Sequence, residues 1–328
     1  MRSQLSQILL RAVFLLLLGA GIAGNWTPAL AASRNCTAPE RAAANAQLNM
    51  TAAQQNAARA SHLPWGAPGP LGLTATERTL FQPGYITRYD RHLLVPIWSA
   101  EKVVASTLGG DRINCFRPDP RIPAAEQSND RDYDEAIYDQ GHLTPSADQA
   151  SSVLSGANSF LYTNMTPQTC EFNEGVWKIL ESITRLWAND HPSIYLINGS
   201  VFDRDNNGVR DADSAALPMV SQRGTSRVAV PSHFYKIVAF TTPTGIMILS
   251  ILMPNDHTQL SGAAAITYLQ GHITTVAAIE HVTGLHFFPN AHPPITEATS
   301  LWPIHGAPGS NSCSRLGITD PGPMRTHH

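Results

Sequence analysis

The chain has 328 residues, of which 43% are hydrophobic and 14% charged, and its formal net charge at neutral pH is −3. This length suits one large domain or two small ones. Many nucleic-acid-binding proteins carry a strongly basic surface, so the slightly acidic balance argues mildly against nucleic acid as a partner. Any attraction for phosphate would have to be local or carried by a bound cation.

The first residues predict a cleaved secretory signal over residues 1–31. Arg2 and Arg11 precede or flank a short apolar run that ends near Gly24, and the small-residue motif Ala29-Leu30-Ala31 follows. The run is too short for a comfortable membrane span, although an uncleaved anchor is the alternative. Since no later segment is long and apolar enough, we expect a secreted or periplasmic protein without stable membrane association. Its charge is −5 once the two arginines are removed.

Four cysteines remain after the predicted cleavage: Cys36, Cys115, Cys170 and Cys313. An even number in an exported chain predicts two disulfides, with three connectivities open. The spacing contains no C-x-x-C pair and no Cys/His cluster, so it does not predict a zinc site.

The segment of residues 32–70 is rich in Ala, Gln and Asn and ends in a Pro- and Gly-rich stretch. Arg41–Arg59 is compatible with one Ala-rich helix, but it has few large apolar side chains, so we expect a flexible, peripheral arm. Tyr85–Trp98 predicts two strands joined by a charged turn at Asp90-Arg91. The Pro-rich stretch Arg117–Asn129 predicts a loop.

Phe172–Asn189 has apolar side chains at helical spacing and predicts an amphipathic helix. Strands and helices mix without a regular βαβ alternation, which favours an α+β fold with a mainly antiparallel sheet. We expect residues 71–302 to form the domain and residues 303–328 to form a Pro- and Gly-rich tail pinned by Cys313. The other expected elements are three strands and a helix: Ser193–Leu196, Arg227–Thr241, Ile246–Met253 and Leu260–His281.

Several short blocks carry residues suited to hydrolysis. A lone histidine is more often structural than catalytic, so His142 is a catalytic candidate only because the other blocks accompany it. The blocks are Tyr138-Asp139-Gln140-Gly141-His142-Leu143-Thr144-Pro145, Thr163-Asn164-Met165-Thr166-Pro167-Gln168, Asn173-Glu174-Gly175-Val176-Trp177 and Leu180-Glu181. Further blocks stand upstream and downstream: Arg112-Ile113-Asn114-Cys115-Phe116-Arg117-Pro118-Asp119-Pro120, Ile279-Glu280, Thr283-Gly284-Leu285 and Phe287-Phe288.

Together these blocks resemble the DNA/RNA non-specific endonuclease family over about residues 85–289. The family pattern is D-R-G-H-L-x-P, S/T-N-x-x-P-Q, N-x-G-x-W and L-E, in this order and at similar spacing. The resemblance implies a ββα-metal nuclease fold with a central, mainly antiparallel sheet flanked by helices. It also implies a hydrolase: a metal-dependent endonuclease that cuts phosphodiester bonds of its substrates, DNA and RNA, with little sequence selectivity.

The resemblance also implies roles that the chemistry of each residue supports. His142 would be the general base, because imidazole titrates near neutral pH. Asn173 would be the one direct protein ligand of a hydrated Mg²⁺ or Mn²⁺ ion, which prefers oxygen ligands. Arg112 would bind the scissile phosphate. Asn164 would hydrogen-bond within the site or orient His142, with a structural loop amide as the alternative.

Glu181 completes the expected site but cannot share the ion directly with Asn173. Eight residues span about 12 Å along a regular helix. We therefore expect Asn173 at or before the start of the helix and Glu181 in contact with the ion through a coordinated water. A solvated helix charge is the alternative for Glu181.

One catalytic block departs from the family. Gln140 stands beside Asp139 where the family usually has Arg, so a hydrogen-bonding group is kept but a charge is lost. We expect lower activity or an altered substrate preference. The alternative is a catalytically weak or inactive nuclease-like domain that serves as a scaffold or binding module. The joint presence of His142, Asn173, Glu181 and Arg112 favours an active enzyme.

A second motif resembles a calcium loop. Oxygen-bearing side chains alternate from Asp203 to Asp211, with Gly208 at the sixth position, as in the first part of an EF-hand loop. Ser214 stands where an EF-hand has Glu, and an Asx-rich turn is the alternative. A similar loop occurs in the non-catalytic nuclease-like domains of the ectonucleotide pyrophosphatase family. That resemblance implies a structural Ca²⁺ held by Asp203, Asp205, Asn207, the Val209 carbonyl and Asp211.

Overall fold

The computed structural model describes residues 33–70 and 74–314, so the predicted signal over residues 1–31 lies outside the described residues. The helices are α1 (Ala38–Ala46), α2 (Ala52–His62), α3 (Val153–Ser159), α4 (Lys178–Asp190), α5 (Gly262–Gly271) and α6 (Val276–Thr283). The strands are β1 (Arg34–Asn35), β2 (Glu77–Phe81), β3 (Ile86–Asp90), β4 (Val95–Val103), β5 (Ile113–Asn114), β6 (Tyr138–His142), β7 (Met165–Thr169), β8 (Ile194–Val201), β9 (His233–Thr242), β10 (Gly245–Pro254), β11 (Ile273–Thr274) and β12 (Ile295–Glu297). Within these ranges no helix has the length and apolar character needed to cross a membrane.

A large sheet of eight described strands organises the domain, in the order β11-β10-β9-β8-β4-β3-β2 with β12 beside β10. All neighbours in this sheet are antiparallel except β10 and β12, which run parallel. Two smaller pairs, β6 with β7 and β1 with β5, lie outside it. The expected α+β fold, with a mainly antiparallel sheet flanked by helices, is confirmed.

The two faces of the large sheet support two apolar cores. Along β9, Phe234 and Val238 pack in the core that contains Trp177 and α4, whereas Tyr235 and Ile237 belong to the core on the other face. This division follows from the alternation of side chains along a strand. Because both faces of β9 are covered, its sequence from Phe234 to Phe240 is apolar except for Lys236.

The N-terminal arm is packed onto the body, which corrects the expected flexible and peripheral arm. It forms two helices rather than one between Arg41 and Arg59, because Thr37 and Thr51 each begin a helix with a capping box. The Cys36–Cys115 disulfide fixes its start. The segment was expected to lie outside the core because its apolar side chains are small. These same alanine side chains allow α1 to approach α3 closely.

The predicted hairpin at Tyr85–Trp98 is confirmed as β3 and β4, whereas three other expectations need correction. The helix expected from Leu260 to His281 is divided, because Ile273–Thr274 pairs with β10 and Thr275 caps α6. The strand expected at Ser193–Leu196 continues to Val201 through polar residues that the apolar pattern did not include. The strand expected from Arg227 begins only at His233.

Candidate active site

Two strands and a helix form one local unit in chain order: β6, β7 and α4. β6 and β7 are antiparallel, with Asp139 opposite Gln168 and His142 opposite Met165. A Cβ at Gly141 would lie 2.3 Å from the side chain of Gln168, so any larger residue before His142 would require Gln168 to move. This arrangement is the ββα unit that the sequence led us to expect.

The His142 side chain is held by aromatic rings at the end of β6. Its ring contacts Phe160 edge-on at 4.6 Å between centroids and Phe116 at 6.0 Å. Its Nε2 atom is buried and has no hydrogen-bond partner among the described residues. Burial, followed by the positive charge of Arg112, holds the pKa of His142 well below its usual range. The imidazole is therefore neutral at neutral pH and can accept a proton.

Arg112 shares the Phe160 ring with His142. Its guanidinium carbon lies 4.9 Å from the centroid of that ring. Nε donates to Asn114 Oδ1 at 2.7 Å and Nη1 donates to Ser146 Oγ at 3.1 Å. The residue is exposed. These contacts fix the side chain and leave part of its donor fork available for an anion.

Asn173 lies in a short π-helical turn, Phe172–Trp177, that precedes α4. The expectation that Asn173 comes before the regular helix is confirmed. Gly175 in the same turn has non-helical dihedral angles of φ −107° and ψ −113°. Asn173 Nδ2 donates to Asp139 Oδ2 at 2.9 Å, so the amide oxygen is on the side away from the carboxylate. A neutral amide oxygen beside carboxylates suits a hydrated divalent cation.

Glu174 is a neighbour that sequence reasoning missed. Ligand atoms of Asp139, Cys170 and Glu174 lie within 4.8 Å of one another. Cys170 is bonded to Cys313 and offers no thiolate, which leaves two carboxylates next to Asn173. The only signal in the sequence was the position of Glu174 directly after Asn173.

Glu181 lies in the first turn of α4 and is partly exposed. Burial by the surrounding protein raises the pKa of its carboxyl group to about 7, although the charges of Lys236 and Arg185 oppose this shift. Arg185 is itself ion-paired with buried Asp148 at 2.9 Å. Lys236 is fully buried on β9, a charged residue in an apolar strand that the sequence pattern did not connect with Glu181.

Asn164 fixes the backbone that follows His142 and makes no hydrogen bond to its ring. Its Oδ1 accepts from the Thr144 amide at 2.9 Å, and its Nδ2 donates to the carbonyls of Thr144 and Ser159. Its own carbonyl accepts from the Leu143 amide at 3.0 Å. Since Asn164 is fully buried, these bonds make it a support for the chain next to the site.

Gln140 lies on a pocket of about 300 Å³ beside Asn173. Its Nε2 is 3.4 Å from the hydroxyl of Tyr162, a long hydrogen bond. The pocket contains two carboxylates and three aromatic side chains, and its lining residues are Phe116, Tyr133, Glu135, Tyr138, Asp139, Gln140 and Asn173.

The loop that follows β8, outside the ββα unit, contains the expected calcium ligands Asp203, Asp205, Asn207, Val209 and Asp211. Asp203 accepts from the amides of Asn207 and Gly208 at 3.0 and 2.9 Å. Asn207 Oδ1 accepts from the Val209 amide at 2.8 Å, and Asp211 Oδ2 accepts from the Arg204 amide at 2.8 Å. The Asn207 bond is an Asx turn, and the Asp203 and Asp211 bonds fold the loop around its own carboxylates.

Comparison with known proteins identifies relatives of this chain. A family model described as DNA/RNA non-specific endonuclease matches residues 70–293. Mitochondrial endonuclease G of Bos taurus is 28% identical over 232 residues, which cover 69% of this chain and 75% of that protein. A nuclease of Syncephalastrum racemosum is 32% identical over 243 residues, 70% of this chain and 72% of that protein. Mitochondrial nuclease EXOG of Danio rerio is 29% identical over 228 residues, 67% and 64% of the two chains.

Proposed function

The chain belongs to the DNA/RNA non-specific endonuclease family, a family of hydrolases that act on nucleic acids, and we propose that it cuts DNA and RNA endonucleolytically with little sequence selectivity and with a divalent cation. The observation that carries this proposal is the hydrogen bond from Asn173 to Asp139. It joins the turn before α4 to the strand that bears His142. The strand that carries the proposed base and the turn that carries the proposed cation ligand are thereby joined.

His142 accepts a proton from the attacking water in this proposal. Its lowered pKa keeps the ring neutral at neutral pH, which is the form that a general base needs. The Phe160 and Phe116 rings restrict its orientation, so little freedom is lost when substrate binds.

Asn173 would hold the cation, Mg²⁺ or Mn²⁺, through its amide oxygen, and Glu181 would interact with it through a coordinated water. The cation would supply positive charge to the scissile phosphate. Asp139 orients the Asn173 amide by accepting from its Nδ2 atom. Asn164 supports the backbone after His142.

Arg112 binds a non-bridging oxygen of the phosphate through the part of its guanidinium that remains exposed. Negative charge accumulates on these oxygens as water attacks, so the fixed guanidinium of Arg112 stabilises the transition state more than the substrate. Gln140 borders the substrate pocket and contributes hydrogen bonds without charge.

A plasmid-nicking assay tests this proposal, with a parallel assay on single-stranded RNA. We expect cleavage of both substrates with Mg²⁺ or Mn²⁺, loss of cleavage in EDTA and recovery when the cation is returned in excess. Cleavage that persists unchanged in EDTA would contradict the role of the cation. A well-folded protein that cuts neither substrate with any divalent cation would contradict the proposal as a whole.

For the loop from Asp203 to Asp211 we propose a structural Ca²⁺ site. Support comes from the alternating oxygen side chains and from the hydrogen bond of the Arg204 amide to Asp211, which brings the two ends of the loop together. We further propose a secreted or periplasmic location, which the apolar leader and the two disulfides support.

A further inference from the structure

The chain beyond β12 runs back along α4 in the opposite direction. The Pro303 carbonyl accepts from Trp187 Nε1 at 2.9 Å, near the end of the helix. Farther along, the Gly309 amide donates to Ser182 Oγ at 2.6 Å, near the helix start. We call residues 303–313 the strap. It lies beyond residue 293, where the match to the family model ends.

The end of the strap contacts residues on both sides of Asn173. Cys313 is bonded to Cys170, three residues before Asn173. On the other side, the Ser312 amide donates to the Glu174 carbonyl at 3.0 Å and the Ser312 hydroxyl donates to Glu174 Oε2 at 2.7 Å. Lys178 Nζ donates to the same hydroxyl at 2.7 Å, so Ser312 also ties the turn to the start of α4.

The turn that holds Asn173 needs such outside contacts. Because Gly175 has non-helical dihedral angles, the regular series of helical hydrogen bonds is interrupted within Phe172–Trp177. The Ser312 amide satisfies the Glu174 carbonyl at this break. A Cβ at Gly175 would lie 3.2 Å from the Asn311 side chain, which shows how closely the strap covers the turn. π-Helical turns of this kind are frequent at functional sites.

We propose that Ser312 is a positioning residue for the cation site: with the Cys170–Cys313 disulfide, it holds the turn in the conformation in which Asn173 binds the divalent cation. This inference rests on the proposed function of Asn173. Ser312 itself is not a ligand, because its hydroxyl is engaged with Glu174 and Lys178. Loss of an outer partner that orients a metal ligand typically costs ~10-fold or more in metal affinity.

Mn²⁺ binding to the purified full chain, followed by the EPR signal of the free ion, tests the inference without reference to catalysis. We expect Ser312→Ala to raise the Kd for Mn²⁺ about tenfold, and Ser312→Thr, which keeps the hydroxyl, to restore most of the affinity. Ser314→Ala changes an exposed serine two residues away and should bind like the wild type. In the cleavage assay, Ser312→Ala should need more Mg²⁺ for half-maximal rate but reach nearly the wild-type kcat at saturation.

A disulfide comparison provides a second test if Ser312→Ala folds poorly. The double variant Cys170→Ser/Cys313→Ser releases the strap near Asn173, whereas Cys36→Ser/Cys115→Ser removes the other disulfide as a matched control. Only the first should weaken Mn²⁺ binding and increase amide hydrogen exchange in residues 171–177.

The outcomes separate this inference from the proposed function. If wild type binds Mn²⁺ and cuts nucleic acid while Ser312→Ala and the Cys170/Cys313 variant bind it equally well, the strap does not position the site. If the wild type neither binds Mn²⁺ nor cuts, the proposed function fails and this inference fails with it.

Discussion

Asp139 Oδ2 accepts a hydrogen bond from Asn173 Nδ2 at 2.9 Å, and this contact links β6 to the turn before α4. Because the carboxylate accepts a hydrogen bond from the amide nitrogen, the amide oxygen of Asn173 is the atom available to a cation. Because the two residues lie 34 positions apart in the chain, the contact depends on the pairing of β6 with β7. The geometry of the ββα unit therefore determines how the cation ligand is oriented.

The first prediction concerns this ligand. Asn173→Ala should raise the Mg²⁺ concentration for half-maximal cleavage by at least ~10-fold, because it removes the proposed direct protein ligand of the cation. Glu181→Ala should have a smaller effect, since its contact runs through water. Asn49→Ala, which changes an exposed asparagine of the arm, serves as the control. Equal metal requirements in wild type and Asn173→Ala would move the cation site elsewhere.

The second prediction concerns pH. In the cation-free protein the pKa of Glu181 is raised to about 7, whereas that of His142 lies well below its usual range. The acidic limb of kcat/KM should therefore follow Glu181 and rise through about pH 7 at low Mg²⁺. More Mg²⁺ should move this limb to lower pH, because a nearby cation favours the carboxylate.

Glu181→Gln provides the matched variant for the pH profile. It keeps the shape of the side chain but cannot ionise, so the Mg²⁺-dependent movement of the acidic limb should disappear. A limb that shifts with Mg²⁺ in Glu181→Gln as it does in wild type would belong to another group.

The third prediction concerns the loop from Asp203 to Asp211. EGTA in the presence of excess Mg²⁺ should lower Tm while cleavage continues, because a bound ion stabilises the folded state by mass action. Asp205→Ala should melt like the chelated wild type, whereas Asp213→Ala, just beyond the loop, should still respond to Ca²⁺. Melting curves of wild type that do not move with Ca²⁺ would leave the loop as an Asx turn.

The fourth prediction concerns Gln140. Gln140→Arg should accelerate cleavage, because a charge-assisted hydrogen bond contributes roughly 1.5–3 kcal/mol against about 1 for a neutral one. A gain of ~1 kcal/mol corresponds to about fivefold in rate. Glu135 and Asp139 line the same pocket and would compensate the added charge. Salt dependence should also steepen, because one more cation meets the nucleic acid.

Gln140→Met is the matched control, since it has similar length but no charge and should not accelerate cleavage. Unchanged or slower cleavage by a well-folded Gln140→Arg enzyme, measured at two salt concentrations, would show that the pocket is adapted to glutamine.

Much of the fold could be predicted because local patterns agree with it. The strand patterns of Tyr85–Trp98 located the β3–β4 hairpin, and the apolar stretch within β9 located that strand. The two-helix arm could not be predicted, because alanines such as Ala44 are buried by the close approach of α3 and not by their own size. The extension of β8 was missed because Asn198 is buried beside Lys236, a contact between residues 38 positions apart in the chain.

The candidate site shows the same division. His142, Asn173 and Glu181 stand in recognisable blocks, so the family resemblance could single them out as candidates. Glu174 and Ser312 could not be anticipated, because their hydrogen bond joins residues 138 positions apart through a tail that follows no helical or strand pattern. Such contacts can be predicted only if the Cys170–Cys313 pairing is known, and the sequence left the disulfide connectivity open.

The most direct test of the account is the rate of plasmid cleavage by His142→Ala at saturating Mg²⁺. Removal of a general base should lower the rate by ~10²–10⁴, while Tm and the Kd for Mn²⁺ stay close to the wild-type values. His281→Ala, a change of an exposed histidine, should cleave normally. A purified, folded His142→Ala protein that cleaves at the wild-type rate would contradict the assignment of the base and with it the proposed mechanism.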